Sequence, residues 1–359
     1  MPAGLAGRAG HPDRGGAIKR TPTLQEVAQA AQVHVSTVSR ALDPAKAALV
    51  SEATRARVVQ VAEELGYRPH LIASQLRRGQ TLTVGVVVPD LGNPLYAPFV
   101  RGVAHALDQH GYLPLVADTQ DDHDRFRRTL RHLWSRRVDA IITTAARTAD
   151  RGAVRDLADQ GVPVVLAVRT LPGSGLPTVD HDDTGGGALA AQHLLDLGHR
   201  RLVQLKGPAD VTPFRHRGQG FSAAVAASGC EELELSTTAT HPTVDEGRRL
   251  MEALLAAAAP LPTGIFAQND LLALGALEAL RAVDLWCPAD VSMVGYNDNF
   301  YAAHTHPAMT AIRLPSHDIG LLAGAMAMEH IRRPDDAATS VSTAPVLLVR
   351  KSTGPPSGH

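Results

Sequence analysis

The sequence predicts a small all-α domain followed by an α/β body of two lobes with parallel sheets. Within residues 23–66, three short segments follow one another with apolar residues at helical spacing. Beyond residue 81, short apolar runs alternate with helical stretches, a pattern typical of βαβ units. At about 150 residues per domain, a chain of 359 residues is expected to form two or three domains.

Charge and cysteine content narrow the possible functions. Residues 1–80 hold 11 Lys and Arg against 6 Asp and Glu, whereas the rest of the chain holds 24 against 30. This modest basic excess favours an anionic partner at the N-terminal end. Cys230 and Cys287 are the only cysteines, which excludes a disulfide scaffold and a four-cysteine zinc site. Because the sequence contains neither a secretion signal nor an apolar run of membrane-spanning length, a cytoplasmic protein is expected.

The first two predicted helices are separated by a tight break. Thr23 and the glutamate three positions later form a capping-box pattern, in which each side chain bonds the other's backbone amide. The first helix is predicted over Leu24–Ala31 and the second over Val35–Leu42. Two short helices joined in this way are typical of a helix-turn-helix.

A third helix is predicted to complete the small domain. Ser51 is suited to cap its N-terminus, and Gly66 is suited to end it. Val58, Val61 and Leu65 form the apolar stripe that is expected to face the other two helices.

The polar side chains of the second helix suggest DNA binding. Hydroxyls near a helix N-terminus suit phosphate oxygens, and arginine reads the O6 and N7 atoms of guanine. An ordinary polar face on a small helical domain remains an alternative, because helix-turn-helix patterns have many false positives. The side chains concerned are those of Ser36, Thr37, Ser39 and Arg40.

The body is predicted as a series of strands and helices whose ligands bind at the carboxyl ends of the strands. The predicted strands are Thr83–Val88, Ala140–Thr143, Pro163–Val168, Arg201–Leu205, Gly264–Ala267 and Val291–Tyr296. The predicted helices are Phe99–Gln109, Arg125–Arg136, Gly186–Leu197 and Leu271–Ala282.

Other motifs give little support to catalysis or metal binding. The three glycines at 185–187 lack the lysine of a phosphate-binding loop, so they predict close helix packing. His304 and His306 lack a third ligand at a convincing spacing. No hydrolase motif occurs in the sequence. Neither a cofactor nor an enzymatic activity is therefore expected.

Several segments together resemble the lactose-repressor (LacI/GalR) family. The headpiece segments are Thr23–Ala31, Val35–Arg40, Val50–Val58 and Glu64–Pro69. The resemblance continues in the same order through Ile72–Gly79, Thr83–Asp90, Asn93-Pro94, Arg137–Asp139, His193–His199, Arg217, Gly220-Phe221, Asn269-Asp270 and Val291–Tyr296. It covers nearly the whole chain beyond residue 20. It implies a transcriptional regulator, expected to be a repressor, whose body has a periplasmic-binding-protein fold.

The resemblance also implies roles for single residues at the DNA. Base-reading positions match Val35, Ser36 and Arg40, and phosphate-contacting positions match Thr23, Thr37, Ser39, Ser51 and Thr54. The hinge helix supplies Ile72, Ala73 and Leu76, with Leu76 as the leucine wedged between base pairs in the minor groove.

The headpiece departs from the family pattern at three positions. Gln32 stands where glycine is usual in the turn, and His34 stands where serine usually opens the second helix. Asp43 replaces a common phosphate-facing asparagine, and the loop from there to Val50 is longer than usual. We expect the phosphate contact at Asp43 to be lost or moved, because a carboxylate repels phosphate.

In the body, the resemblance implies an effector bound between the lobes by Leu95, Tyr96, Arg169, Arg217, Asn269 and Asn297. Val168, Pro242, Asn297 and Leu314 depart from the residues that usually contact sugars. Since Val168 and Leu314 remove polar partners for hydroxyls, the sequence favours a small polar ligand with fewer hydroxyls or an acidic group. A sugar derivative is the family default.

The predicted organisation is a flexible tail at 1–22, a headpiece at 23–68, a hinge and linker at 69–80, and a body at 81–359. The predicted function is a ligand-controlled regulator that binds operator DNA as a homodimer. The effector would shift the population of lobe arrangements and so change the affinity for DNA. The alternatives are a solute-binding protein without a regulatory role and an α/β enzyme with an accessory DNA-binding domain.

Overall fold

The computed structural model describes residues 22–43, 46–67, 80–257, 260–334 and 336–356. The chain divides into two compact units, residues 1–79 and 80–359. We call the first the headpiece and the second the body. Ile72, Ala73 and Leu76, the predicted hinge residues, lie outside the described residues.

The headpiece contains the helices α1 (Leu24–Ala30), α2 (Val35–Ala41) and α3 (Glu52–Glu64). Thr23 and Glu26 form the predicted capping box at the start of α1. The stripe on α3 was predicted correctly for Val58 and wrongly for Leu65, which is 40% exposed. Leu65 is the C-cap residue of α3, one position beyond the end of the helix. The headpiece core consists of Val27, Ala28, Ala31, Val38, Ala41, Val58, Ala62 and Tyr67.

The body contains two six-stranded sheets. The N-lobe sheet has the order β11-β5-β4-β3-β1-β2, and the C-lobe sheet has the order β12-β10-β9-β8-β6-β7. In the described part, β12 is antiparallel to β10 and the other pairs are parallel. The strands are β1 (Thr83–Val88), β2 (Leu113–Asp118), β3 (Ala140–Thr143), β4 (Val164–Ala167), β5 (Thr178–His181), β6 (Arg201–Leu205), β7 (Glu231–Leu233), β8 (Gly264–Ala267), β9 (Ser292–Asn297), β10 (Thr310–Arg313), β11 (Ser340–Thr343) and β12 (Val346–Leu348).

Helices cover both sheets. Two of these helices come directly after a strand of one lobe but pack against a helix of the other lobe. After β5, α7 packs against α8 of the C-lobe, and after β10, α11 packs against α4 of the N-lobe. The helices of the body are α4 (Tyr96–Asp108), α5 (His123–Ser135), α6 (Arg151–Asp159), α7 (Asp183–Asp196), α8 (Thr212–Ser228), α9 (Val244–Ala257), α10 (Asp270–Arg281) and α11 (Ser316–Arg332).

The contact between α7 and α8 explains the glycines at 185–187. A Cβ atom at Gly187 would overlap the backbone carbonyl of Arg217, and one at Gly220 would overlap that of Thr184. The two helices therefore approach backbone to backbone, which is possible only without these side chains. The close packing predicted from the sequence is confirmed, and it brings Asp183 next to Arg217.

The described residues offer no support for membrane or metal chemistry. In the part of the chain that the structure describes, no helix has both the length and the apolar character to cross a membrane. Within the same residues, His, Cys, Asp and Glu side chains form no group that could hold a metal ion.

Candidate DNA-binding and effector sites

The second headpiece helix presents two of its predicted recognition residues, Ser36 and Arg40, away from the core, whereas Val35 packs against the edge of the core. Val38 and Ala41 are buried against α1 and α3, so the opposite side of α2 is exposed. Ser36 and Arg40 lie on the exposed side, while the three other predicted contacts on this helix are half-buried. Within the described residues, the Arg40 side chain makes no hydrogen bond or ion pair, so its guanidinium is available to an external partner.

Two departures from the family pattern are accommodated by local geometry. Gln32 adopts a left-handed conformation with φ 51°, the backbone state that favours glycine in a turn. At His34, Nδ1 accepts a hydrogen bond from the Ser36 amide at 3.2 Å and lies 2.8 Å from Ser36 Oγ. His34 therefore caps α2 in place of a serine and holds the Ser36 side chain.

The predicted phosphate contacts outside α2 lie at the starts of the other two helices. Thr23 caps α1, and Ser51 caps α3 with its Oγ 2.9 Å from Thr54 Oγ1. Helix N-termini carry partial positive charge and unpaired amides, which suits phosphate oxygens. Asp43 follows α2, and the next two residues of the longer loop lie outside the described residues.

All six predicted effector residues line one cavity between the lobes, which we call the interlobe cavity. Its empty volume is about 340 Å³, open solvent at its mouth included. Most of the contributing segments follow the carboxyl ends of strands in both sheets, where ligands of parallel sheets bind. The lining residues are Asn93, Leu95, Tyr96, Val168, Arg169, Val211, Pro213, Phe214, Arg217, Pro242, Asn269 and Asn297.

Arg217 is held by three partners in the C-lobe. Its Nε donates to Asp183 Oδ1 at 2.8 Å, and its Nη1 donates to the backbone oxygen of Gln268 at 2.7 Å. Its guanidinium carbon lies 3.7 Å from the centre of the Tyr296 ring. Although burial alone would lower the pKa of Arg217, the Asp183 carboxylate raises it. The guanidinium of Arg217 therefore lines the cavity in a fixed position, with its charge balanced by Asp183.

Arg169 belongs to a chain of charges that crosses from the cavity to the other lobe. Its Nη1 donates to Asp121 Oδ1 at 2.6 Å, and Asp121 Oδ2 also accepts from Arg147 Nη2 at 2.8 Å. Burial alone would raise the pKa of Asp121, but Arg169 and Arg147 lower it to about 2. Arg147 in turn donates to both carboxylate oxygens of Asp210 at 2.9 and 2.8 Å. Because Asp210 follows β6, this pair joins the two lobes.

The remaining polar residues of the cavity differ in whether their side-chain oxygens already accept a hydrogen bond. Asn269 caps α10 by accepting from the Leu272 amide at 2.8 Å, and Asn93 accepts from the Leu95 amide at 3.0 Å. By contrast, Asn297 Oδ1 is buried and has no hydrogen-bond partner among the described residues. Both Asn297 and Val168 have positive φ, at 101° and 62°. Val168 is β-branched, so its conformation is strained.

Comparisons with known proteins agree with this architecture. Residues 23–70 match the bacterial regulatory proteins of the lacI family, and residues 191–353 match a periplasmic binding protein-like domain. The ribose operon repressor of Escherichia coli K12 is 32% identical over 332 residues, which cover 92% of this chain and 99% of the repressor. The chain belongs to the lacI family. The regulator CelR of Thermobifida fusca is 35% identical, covering 92% of this chain and 96% of CelR.

Solved structures of lacI-family regulators share the fold. A complex of CelR with cellobiose matches with a TM-score of 0.70 and 32% identity, covering 92% of this chain and 99% of CelR. The lac repressor dimer bound to operator and the anti-inducer ONPF matches with a TM-score of 0.81 at 24% identity, covering 93% and 100%. This lacI-family protein is a DNA-binding transcriptional regulator with an effector-binding body, which disfavours the reading as a solute-binding protein.

Sequence reasoning missed the carboxylates that pair with the two arginines of the interlobe cavity in this lacI-family regulator. Asp183 lies 34 residues before Arg217, and Asp121 lies 48 residues before Arg169. No local pattern links residues so far apart. The glycines at 185–187 were a usable signal for Asp183, because close packing of their helix on α8 places its first turn beside Arg217.

Proposed function

We propose that operator recognition uses Val35, Ser36 and Arg40 for bases, and Thr23, Thr37, Ser39, Ser51 and Thr54 for phosphates. The proposed units are the tail, headpiece, hinge and body given above, with Ile72, Ala73 and Leu76 of the hinge in the minor groove. The regulator acts in the cytoplasm as a homodimer on a palindromic operator, and it has no enzymatic activity. The exposed, unpaired guanidinium of Arg40 supports this assignment.

The effector is bound by Leu95, Tyr96, Arg169, Arg217, Asn269 and Asn297. The observation that carries this proposal is that these six residues, chosen without the structure, line a single cavity between the lobes. A series of ion pairs runs from Arg169 through Asp121 and Arg147 to Asp210 in the other lobe. A ligand that contacts Arg169 can therefore change how the two lobes are held together.

The structure changes the expected chemistry of the ligand. Both cavity arginines already face a buried carboxylate, Arg217 at Asp183 and Arg169 at Asp121. An acidic ligand would therefore gain little from net charge and would compete with these carboxylates. A neutral, polyhydroxylated molecule fits better, as the ribose and cellobiose relatives suggest. Asn297 Oδ1 is an available acceptor for one of its hydroxyls.

The test combines ligand binding with operator binding. An operator is first selected from random duplex DNA with the full chain, and its affinity is measured by fluorescence anisotropy. Calorimetry then follows neutral sugars, starting with ribose and cellobiose, and each ligand found is added to the operator titration. We expect a bound sugar to change operator affinity at least fivefold, because coupling free energies of 1–3 kcal/mol are typical, roughly 5–150-fold.

Asn297→Gly is the matched variant for this test. Glycine adopts φ 101° without strain and removes an amide whose oxygen has no partner in the described protein, so the fold is expected to persist. The variant should bind the sugar roughly fivefold to tenfold more weakly, the value of one hydrogen bond of about 1 kcal/mol. Operator affinity without ligand should stay unchanged, as it should in Gln160→Ala at the exposed end of α6. Unaltered sugar binding by Asn297→Gly would refute the placement of the ligand.

A further inference from the structure

A second cavity opens in the C-lobe, which we call the C-lobe cavity. Lys206 and Gly207 follow β6 and Gln268 follows β8, so the cavity lies at the carboxyl ends of these neighbouring strands. The chain places β7 on one side of β6 and β8 on the other, which makes this a topological switch point. Open α/β sheets bind their ligands at such points. The empty volume of about 710 Å³, open solvent included, is twice that of the interlobe cavity.

One face of α8 forms a wall of this cavity. Residues four apart lie on the same face of a helix, and Phe214, Gly218 and Ser222 follow that spacing, as do Arg215 and Gln219. Arg215 is exposed, and its side chain makes no hydrogen bond or ion pair with a described residue. The wall therefore combines the free cation of Arg215 with the aromatic ring of Phe214 and the hydroxyl of Ser222.

A second cation faces the cavity from the strand side. Lys206 Nζ lies 3.6 Å from Glu234 Oε1, but that glutamate side chain is 83% exposed. An ion pair with so exposed a partner is weak and is screened by salt. A bound anion can therefore take over Lys206 at little cost. Thr238 adds a further hydroxyl to the rim.

The floor of the cavity is polar and fixed. Gln268 Oε1 accepts from the Gly207 amide at 2.9 Å, and Gln268 Nε2 donates to Gln204 Oε1 at 2.9 Å. Gln204 Nε2 donates in turn to Glu232 Oε1 at 2.7 Å. A Cβ atom at Gly218 would lie 3.0 Å from Gln268 Nε2, so the glycine leaves this floor uncovered. The floor groups are satisfied by one another, whereas the two cations at the rim have no strong partner among the described residues.

We propose that the C-lobe cavity binds a small organic anion, whose phosphate or carboxylate is held by Lys206 and Arg215 and whose apolar part lies on Phe214. Arginine forms forked hydrogen bonds with either oxyanion, and lysine adds a point charge. Phe214 also lines the interlobe cavity. It packs so closely on Gly207 that a Cβ there would overlap its ring. An occupant of the C-lobe cavity therefore contacts a wall of the effector site.

Calorimetry of the full chain with phenyl phosphate tests the proposal. Inorganic phosphate measures the contribution of the charged group alone, and phenol measures that of the ring alone. Benzoate shows whether a carboxylate can replace the phosphate. We expect phenyl phosphate or benzoate to bind more tightly than inorganic phosphate and phenol. The double variant Lys206→Met, Arg215→Gln should weaken this binding at least tenfold. Arg155→Gln, which removes an exposed charge from α6 of the N-lobe, should leave it unchanged.

Several results would overturn the assignment. The assignment fails if the wild-type chain binds none of the four probes. It also fails if the double variant binds phenyl phosphate as tightly as the wild type does. A loss as large in Arg155→Gln would mean general attraction of anions. Loss in Asn297→Gly with full binding in the double variant would place the probe in the interlobe cavity. Because Lys206 and Arg215 are not core residues, equal thermal midpoints of variant and wild type will verify folding.

Discussion

The recognition face of the headpiece and the interlobe cavity use arginine in opposite ways. Arg40 is exposed and has no partner within the described residues. Arg169 and Arg217 are buried, at 3% and 2% exposure, and each is bonded to a carboxylate. In the headpiece, the protein leaves the guanidinium unpaired, and DNA is the partner that we propose for it. In the cavity, the protein supplies the partner and fixes the geometry in advance.

Because of this difference, removing an exposed arginine and removing one member of a buried ion pair should have different effects on the free energy of unfolding. An exposed guanidinium contributes little to the fold, so its removal should affect binding alone. A buried ion pair is different, because removing one member leaves the other charge without compensation. Variants in the two regions should therefore divide between DNA recognition and stability.

The largest effect is expected for Asp121→Ala. It leaves the buried Arg169 and the nearly buried Arg147 without their shared carboxylate, and breaking a buried pair costs about 3–5 kcal/mol. Urea unfolding followed by the fluorescence of Trp134 and Trp286, both in the body, measures the loss. Asp156→Ala on the exposed side of α6 is the control. A loss below 1 kcal/mol would show that the comparison between buried and exposed arginines fails.

Asp270→Asn sharpens the comparison, because Asp270 is a buried carboxyl without an arginine bonded to it. Its Oδ2 accepts from the Asn299 amide at 2.7 Å, whereas its Oδ1 has no partner among the described residues. Burial raises the pKa of Asp270 to about 8. The folded pKa lies above the unfolded one, so the contribution of Asp270 to stability is fully present below about pH 4 and is lost as the pH rises toward 8.

Asparagine cannot ionise and can still accept the Asn299 amide. The stability of Asp270→Asn relative to wild type should therefore rise by about 2–4 kcal/mol between pH 5 and pH 8. Paired urea titrations at the two pH values measure this difference, since other titrating groups are common to both proteins. A difference that does not depend on pH would mean that the Asp270 carboxyl is already solvated or paired.

The smallest change in free energy is expected for Arg40→Ala, and it should appear only at the DNA. A forked contact to guanine discriminates by about 1–3 kcal/mol. The variant should lose affinity for the selected operator more than for scrambled DNA, while its unfolding midpoint stays that of wild type. Arg57→Ala, another exposed headpiece arginine, controls for charge. An equal loss of affinity for the operator and for scrambled DNA would show that Arg40 contacts phosphate and does not read a base.

The sequence predicted the centres of the sheets better than their edges. All six predicted strands agree with the structure to within one residue at each end, since central parallel strands are continuous apolar runs. Six strands were missed. The edge strands β2, β7, β11 and β12 have much of their surface exposed or polar, as at Leu113, which is 70% exposed. The strands β5 and β10, each next to an edge strand, have polar side chains at half or more of their four residues. The starts of α4 and α7 were placed three residues late, because aromatic, proline or polar residues there interrupt the apolar pattern.

The candidate sites were predictable only in part. The resemblance supplied the residues that line the interlobe cavity, but not the carboxylates Asp121 and Asp183, which come from distant segments. The sequence showed His34 where a serine usually opens α2, but it did not show that the ring nitrogen of His34 takes the place of the serine hydroxyl. Such substitutions depend on three-dimensional geometry, which a comparison of residue types does not contain.

The crossing of the chain between the lobes has a consequence for synthesis on the ribosome. β11 completes the N-lobe sheet beside β5, and β12 completes the C-lobe sheet beside β10, with two residues between them. Neither sheet is whole until residues 340–348 have been translated. The headpiece is synthesised before the body and can fold early, whereas both lobes finish together. A premature stop codon just before Ser340 would remove one edge strand from each lobe at once.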